Sequence, residues 1–157
     1  MNKILIIAGG YSKEREISFQ TAKSVYAELK KNKKYKIKIT EPDGNFVKKL
    51  KIFKPNIVFN LLHGRYGEDG YIQAILESQK IKYTHSGVLS SSLAIDKELS
   101  KKIFIKNKIL TPKYIKFIFR FNFKKKKIIE KVEKKLKFPV VIKPINEGSS
   151  VNVHICN

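Results

Sequence analysis

The sequence predicts an α/β protein in which a parallel sheet flanked by helices is followed by the first part of a second, α+β domain. Short apolar runs bounded by turn residues alternate with segments of helical period, which is the pattern of parallel strands covered by helices. Polar, glycine-containing loops follow several of these runs, at the strand ends where α/β sheets place their ligands. After Ser90 the pattern changes, and Thr111-Pro112 interrupts a helical stretch.

The first part of the chain predicts four strands and three helices. The apolar run Lys3–Ala8 predicts a buried strand that ends at a glycine pair. Ser12 or Ser18 is the predicted cap of a helix that runs to about Lys30, because serine hydroxyls accept N–H groups at helix starts. The remaining elements, in chain order, are strand Tyr35–Thr40, helix Phe46–Phe53, central strand Ile57–Leu61, helix Ile72–Gln79 and strand Lys82–Thr84.

The second part of the chain predicts fewer elements. Helical periodicity over Ser90–Asn107 is followed by strand Lys113–Phe119, helix Phe123–Leu136, strand Val140–Lys143 and strand Val151–Ile155. We assign residues 1–96 and 97–157 to two domains. Because the second set has too few elements to close a core, we expect it to be the first part of a larger domain.

The composition is that of a globular protein from a reducing compartment. Hydrophobic residues make up 42% of the 157 residues and include ten Phe, enough for a sizeable core. No stretch approaches the roughly 18 apolar residues of a membrane span. Cys156 is the only cysteine, which excludes a disulfide framework. We therefore expect a soluble cytoplasmic protein with no membrane partner.

The formal net charge of +21 suggests nucleic acid at first sight, but its distribution argues against that partner. Only three of the 34 basic residues are arginine, the residue that most often recognises bases and phosphates. The lysines are spread over the whole chain beside 22 Ile, 10 Asn and only five Ala, which indicates A/T-rich codons rather than a basic face. We expect no nucleic-acid partner. A steep salt dependence of DNA affinity would contradict this interpretation.

Two polar loops of the first domain contain candidate site residues. Glu14 follows the glycine pair after the first strand, where free N–H groups and a helix start favour an anionic ligand group. His63 opens a loop with three glycines after the central strand. We interpret His63 as a substrate contact, with a buried structural histidine as the alternative. Glu68 and Asp69 in that loop are as well explained by capping of the next helix as by catalysis.

The candidate residues of the second domain favour a nucleotide. Lys97 by itself has the character of a surface residue, whereas Lys143 ends an apolar strand that fixes the position of its ammonium group. Glu147 precedes a Gly-Ser-Ser turn, and the turn offers hydroxyls and free N–H groups to phosphate oxygens through Ser149 and Ser150. Two lysines and this turn indicate ATP, although the spacing is not that of a GxxxxGK[ST] loop.

Five segments, taken in order, resemble the D-alanine–D-alanine ligases of the ATP-grasp superfamily. They run along nearly the whole chain with a spacing similar to that family's: GGYSKEREIS (Gly9–Ser18), LHGRYGEDGYIQAILE (Leu62–Glu77), SGV with SSLAIDKELSK (Ser86–Lys101), Thr111-Pro112 and FPVVIKPINEGSSV (Phe138–Val151). The resemblance implies a pre-ATP-grasp, Rossmann-like first domain, followed by an ATP-grasp α+β domain that is incomplete in these residues.

The resemblance implies ATP-dependent ligation of two D-alanines to D-alanyl-D-alanine for peptidoglycan precursor synthesis. The first D-alanine forms an acyl phosphate, which the amine of the second attacks. By the same resemblance, Glu14 helps to hold the first D-alanine, His63 lies near its carboxylate, and Ser149 is the active-site serine. Whether D-lactate or D-serine replaces the second D-alanine stays open.

The resemblance also implies ATP as the cofactor, bound by Lys97, Lys143, Glu147 and Ser150. It implies Mg²⁺ as well, whose ligands we expect in a C-terminal part that these residues lack, so we assign no metal ligand here. Members of the family commonly form homodimers through the N-terminal domain. A homodimer is therefore a further expectation, although no residue pattern identifies a dimer face.

Two positions depart from the family's pattern. His85 stands where the family usually has a small residue, often glycine, and we expect this change to alter the packing near the site. Asn152 stands where glycine usually follows Ser-Ser-Val. Because asparagine tolerates a positive φ better than most residues, we expect this second change to be mild.

The length of the chain leaves two interpretations open. One is that these residues are the N-terminal half of a ligase. The other is a naturally truncated, non-catalytic remnant that binds D-alanine or a nucleotide weakly. We favour the first interpretation, because Glu14, His63, Lys97, Lys143 and Ser149 are all present.

We expect the 157 residues alone not to ligate D-alanine, because the expected Mg²⁺ ligands and the residues that stabilise the transferring phosphoryl group are not among them. In an assay with ATP, ADP release should be the same with and without D-alanine. D-alanine-dependent ADP release by the isolated chain would contradict this expectation.

Overall fold

The computed structural model describes residues 2–118, 125–148 and 150–157. The chain forms two compact units, Met1–Ile95 and Asp96–Asn157. The first unit contains the strands β1 (Asn2–Ile7), β2 (Tyr35–Thr40), β3 (Ile57–Asn60) and β4 (Lys82–Tyr83), and the helices α1 (Arg15–Leu29), α2 (Phe46–Phe53), α3 (Tyr71–Ser78) and α4 (Val88–Ile95). The second contains α5 (Lys97–Lys106), α6 (Lys125–Lys135), β5 (Val140–Ile142) and β6 (His154–Cys156).

The first unit is built on a parallel sheet with the strand order β2-β1-β3-β4. Side chains of β1 alternate between the two faces of the sheet, and each face has its own buried cluster. On one face Leu5 and Ile7 pack with residues of α2 and α3, and on the other Ile4 and Ile6 pack with Ala22 of α1. The predicted parallel sheet flanked by helices is therefore confirmed.

Ser18 does not cap α1, and Ser12 does not occupy its N-cap position, although the Ser12 hydroxyl accepts the Glu14 N–H at 3.1 Å just before the helix. Glu14 occupies the N-cap position and makes no side-chain capping hydrogen bond. Ser18 lies within α1 and is fully buried. Its hydroxyl accepts the Gly9 N–H at 2.8 Å and donates to the Leu61 carbonyl at 2.6 Å, so one side chain joins the ends of β1 and β3 to the helix between them.

The second unit departs from its predicted elements in two places. Residues 113–118 form no strand, and no described strand pairs with them; instead Lys101 donates to the Pro112 carbonyl at 2.6 Å and Lys116 binds Glu98. The predicted helix Phe123–Leu136 is present as α6, its first two residues lying outside the described part. The last strand is His154–Cys156 rather than Val151–Ile155, and it pairs antiparallel with β5.

The helical periodicity predicted over residues 90–107 is divided between α4 and α5. Asp96 separates them, and its carboxylate caps α5 by accepting the N–H groups of Glu98 and Leu99, both at 2.9 Å. None of the described helices combines the length and the apolar character needed to cross a membrane.

We predict that Ser18→Ala destabilises the protein by about 1–3 kcal/mol, because the substitution leaves a buried N–H and a buried carbonyl without their partner. The matched control is Ser24→Ala on the same helix. The Ser24 hydroxyl donates to the Gln20 carbonyl at 3.3 Å in an exposed position, so its loss should cost less than about 0.5 kcal/mol. Urea unfolding followed by circular dichroism measures both values, and equal effects would contradict the bridging role.

Candidate functional site

The ends of β1 and β3 bring two predicted site residues of the first unit, Glu14 and His63, to the same edge of the sheet. Glu14 is 4% exposed, and its Oε1 atom has no hydrogen-bond partner among the described residues. A buried carboxylate oxygen without a donor is unfavourable, since buried charges need a partner. Glu14 is therefore suited to receive a cationic or hydrogen-donating group from a ligand.

Gly64 shows how close the Glu14 carboxylate is to the loop that begins at His63. A Cβ atom added to Gly64 would lie 2.6 Å from Glu14 Oε2, and Gly64 has a φ of +67°. Both observations exclude a larger residue there without displacement of the carboxylate. The glycine thus allows the His63 loop to lie against Glu14.

Glu68 and Asp69 stabilise this loop through its own backbone. Glu68 Oε2 accepts the Gly64 N–H at 2.8 Å, and Asp69 accepts the N–H groups of Tyr66 at 2.8 Å and Tyr71 at 3.1 Å. Tyr71 is the first residue of α3, so Asp69 also satisfies a free donor at that helix start. These contacts favour the structural explanation of the two carboxylates over a catalytic one.

His63 is half-buried, with its side chain 28% exposed. Its Nε2 atom lies 3.3 Å from Thr21 Oγ1, and its Nδ1 atom lies 3.9 Å from Glu68 Oε1. The ring also lines a small cleft beside Gly10 and Leu62. His63 is thus in contact with Thr21 through one ring nitrogen and is not fully buried, so its side chain can be reached by a ligand.

Two buried amides that no motif indicated hold the middle of the same loop. Asn60 Nδ2 and Gln73 Nε2 both donate to the Gly67 carbonyl, at 2.8 and 2.9 Å. Both residues are fully buried. The sequence predicted that Gln73 lies on a helix, but not that its side chain is buried. The helical pattern is read from apolar residues and does not indicate when a polar residue faces the core.

His85, the first departure from the family's pattern, has a φ of +93°, a region that glycine adopts without strain. Its Nδ1 atom lies 3.2 Å from Asn60 Nδ2. Because Asn60 Oδ1 accepts the Leu62 N–H at 3.2 Å, the amide is oriented with its donor toward the ring. His85 therefore packs against Asn60, next to the His63 loop, and this contact is a change in packing near the site.

At the end of β2, Arg15 and Glu41 form an ion pair that the motifs did not indicate. Arg15 Nε and Nη2 donate to the two carboxylate oxygens at 2.8 and 3.0 Å, and Glu41 Oε1 also accepts the Gly10 N–H at 3.0 Å. The hydrogen bond from Arg15 lowers the pKa of the Glu41 carboxyl below its usual value. Glu41 stays ionised and fixes the glycine pair after β1.

Lys97 is the centre of the candidate site in the second unit. Its backbone N–H donates to the Ile145 carbonyl at 3.1 Å, and its ammonium group donates to the carbonyls of Ile145 and Glu147. Burial lowers the pKa of the Lys97 ammonium, and the charge of Lys143 lowers it further. Lys97 is thus half-buried and hydrogen-bonded, rather than a fully exposed surface residue.

The charge of Lys143 affects two lysines of α5. Burial also lowers the pKa of Lys101, and Lys143 is the second cause there as well. Lys97 receives carbonyl oxygens rather than a carboxylate as hydrogen-bond partners. Adjacent positive charges of this kind are stabilised by an anion, so Lys97 and Lys143 fit the phosphates of a nucleotide.

The turn after β5 contains two residues with a positive φ, a backbone conformation that large side chains disfavour. Ser150 has a φ of +62°, and Asn152 has a φ of +54°, in the left-handed region that asparagine tolerates better than most residues. Glu147 contacts Lys97 through its backbone carbonyl. Ser149 lies outside the described residues, and its role, like those of Glu147 and Ser150 toward ATP, stays a prediction.

Within the described residues, no group of three or more His, Cys, Asp or Glu side chains is arranged to hold a metal ion. The site of the first unit contains the Glu14 carboxylate, with one oxygen unpaired, and the imidazole of His63. The site of the second unit contains Lys97, with its carbonyl partners, and Lys143. The first suits an ammonium group and the second suits phosphates.

Comparisons with known proteins cover nearly the whole chain. A family model described as the C-terminus of D-ala D-ala ligase matches residues 103–157. A curated D-alanine–D-alanine ligase of Pelagibacter ubique (strain HTCC1062) is 66% identical over 155 residues, which are 99% of this chain and 50% of that protein.

Solved structures give the same result. A crystal structure of D-alanine–D-alanine ligase from Bacillus anthracis superposes with a TM-score of 0.80 at 37% identity, over 99% of this chain and 49% of that chain. A Bacillus anthracis ligase complexed with ATP gives a TM-score of 0.78 at 32% identity, over 99% of this chain and 51% of that chain.

The fold and these similarities define the class as the α/β fold of the ATP-grasp superfamily. Within this class, the chain belongs to the D-alanine–D-alanine ligase family. It spans about half the length of the curated relatives and solved structures that it matches.

We predict that His85→Gly gives a more stable protein than His85→Ala, by about 1 kcal/mol. Both variants lose the contact with Asn60, but only alanine pays the steric cost of a positive φ. This order is the reverse of the usual preference for alanine over glycine. Paired thermal and urea unfolding measure the difference, and a more stable alanine variant would contradict the assigned backbone.

Proposed function

We propose that this protein takes part in the ATP-dependent ligation of two D-alanines to D-alanyl-D-alanine, for peptidoglycan precursor synthesis in the cytoplasm. We propose further that these residues supply the site of the first D-alanine and two of the lysines that bind ATP. The proposal is supported by relatives named D-alanine–D-alanine ligase and by the ATP complex of a similar ligase.

The single observation that carries the proposal is the buried Glu14 carboxylate with an unpartnered oxygen. The ammonium group of D-alanine supplies the positive charge and the N–H donors that this oxygen lacks. Gly64 allows the carboxylate to lie against the loop of His63, so both residues can contact one small amino acid. In this proposal Glu14 binds the ammonium end, and His63 lies near the carboxylate end.

The lysines of the second unit hold the phosphates in this proposal. ATP, when bound, supplies the phosphoryl group that activates the D-alanine carboxylate. Lys97 and Lys143 contribute fixed positive charge, and the turn with Glu147 and Ser150 contributes backbone and hydroxyl donors. Ser149 is the proposed active-site serine.

Two further parts of the proposal concern a metal ion and the assembly of the protein. One is Mg²⁺ as the ion that accompanies ATP. The other is a homodimer through the first unit.

We predict that Glu14→Gln weakens D-alanine binding by about 10-fold or more, because it removes a charge-assisted interaction with the ammonium group. Glu16→Gln is the matched control: Glu16 lies in the same helical turn with its side chain 81% exposed, and its substitution should leave binding unchanged. Amide NMR titration of the 157-residue chain with D-alanine, and with L-alanine for chirality, measures both affinities.

Two results would contradict this assignment. One is equal binding of D-alanine by the wild type and Glu14→Gln. The other is the lack of any D-alanine-dependent shift at residues of the Glu14 and His63 loops in the wild type.

A further inference from the structure

We infer that Thr21 is a positioning residue for His63, and that its hydroxyl keeps the proton of the neutral imidazole on Nε2. The functional consequence of this inference rests on the proposed role of His63 in the D-alanine site. The geometry behind it does not. Thr21 lies on α1, outside the segments that resemble the ligase family.

The hydroxyl of Thr21 is oriented by its own helix. Thr21 Oγ1 donates its hydrogen to the Ile17 carbonyl, one helical turn earlier, at 3.0 Å. A hydroxyl has a single hydrogen and two lone pairs. With that hydrogen directed to Ile17, the oxygen presents a lone pair to His63 Nε2, 3.3 Å away. Nε2 must therefore be the donor, which places the proton of the neutral ring on this nitrogen.

The second nitrogen of His63 has a different partner. Nδ1 lies 3.9 Å from Glu68 Oε1, beyond the length of a hydrogen bond but within the range of an ion pair. The Glu68 carboxylate is fixed, because its Oε2 atom accepts the Gly64 N–H at 2.8 Å. Because the Thr21 contact places the proton of the neutral ring on Nε2, Nδ1 keeps its lone pair, and a second proton on Nδ1 would face the Glu68 carboxylate.

The two contacts assign a separate role to each ring nitrogen. Nε2 is committed to Thr21 and holds the plane of the ring against α1. Nδ1 is the nitrogen whose lone pair stays available to a ligand. Without the Thr21 oxygen, the ring is free to rotate about its bond to Cβ and to exchange the roles of its nitrogens.

Nitrogen NMR of the histidine-labelled 157-residue chain tests this inference without D-alanine or ATP. The spectrum is recorded at about pH 8.5, where an ordinary imidazole is neutral, and His63→Gln assigns the resonance of His63. We expect a protonated Nε2 with a slowly exchanging hydrogen, close to the Thr21 methyl group. Thr21→Val, which keeps the shape of the side chain, should lose the protected hydrogen, and Thr21→Ser should restore it.

Ser24→Ala is the matched control, because Ser24 makes the same bond to the carbonyl of Gln20 on the same helix, and it should leave the His63 signal unchanged. Either a proton on Nδ1 in the wild type or an unchanged Nε2 signal in a folded Thr21→Val would overturn the inference. Should Thr21→Val not fold, the wild-type tautomer and its proximity to Thr21 decide alone. A failed D-alanine titration with the expected tautomer would reject the proposed function and leave this inference intact.

Discussion

The hydroxyl of Ser18 is the contact on which the geometry of the first unit depends. It accepts from Gly9 and donates to Leu61, and so joins the residues that follow β1 and β3 across α1. Glu14 precedes Ser18 by one helical turn, and His63 follows Leu61 by two residues. Because both site residues are this close to the bridge in sequence, a change in the bridge displaces both loops. The core fixes the strands, and these two hydrogen bonds fix the loops that follow β1 and β3.

Two charged groups of the candidate sites are held in states that a compact protein alone does not favour. Glu14 keeps a buried oxygen without a donor, and Lys97 keeps a positive charge near Lys143. Both arrangements weaken the free protein and are relieved by a ligand of opposite charge. By contrast, Glu41 is fully paired with Arg15, and Asp96 is used as a cap. Glu14 thus has one oxygen without a donor, and Lys97 donates to carbonyl oxygens rather than to a carboxylate. These two features separate the binding residues from the structural ones.

Three features could be predicted from the sequence: the parallel sheet, both ends of α2, and the loops that contain Glu14 and His63. Apolar periodicity and glycine placement are local signals, and they determine local structure. The sequence did not reveal the contacts of Ser18, Gln73 or Thr21, because their partners lie in other parts of the fold. Residues 113–118 have a strand-like pattern, but a strand also needs a neighbour, and no described strand pairs with them. Predictions failed where a residue's role is set by tertiary contacts.

The proposed site depends above all on the unpaired Glu14 carboxylate, which binds the ammonium group of the first D-alanine. Calorimetric titration of the wild-type chain with D-alanine and with D-lactate tests this role, because D-lactate carries a neutral hydroxyl in place of the ammonium group. We expect binding of D-alanine and at least about tenfold weaker binding of D-lactate. Equal affinities would show that Glu14 does not recognise the ammonium group, and would contradict the claim.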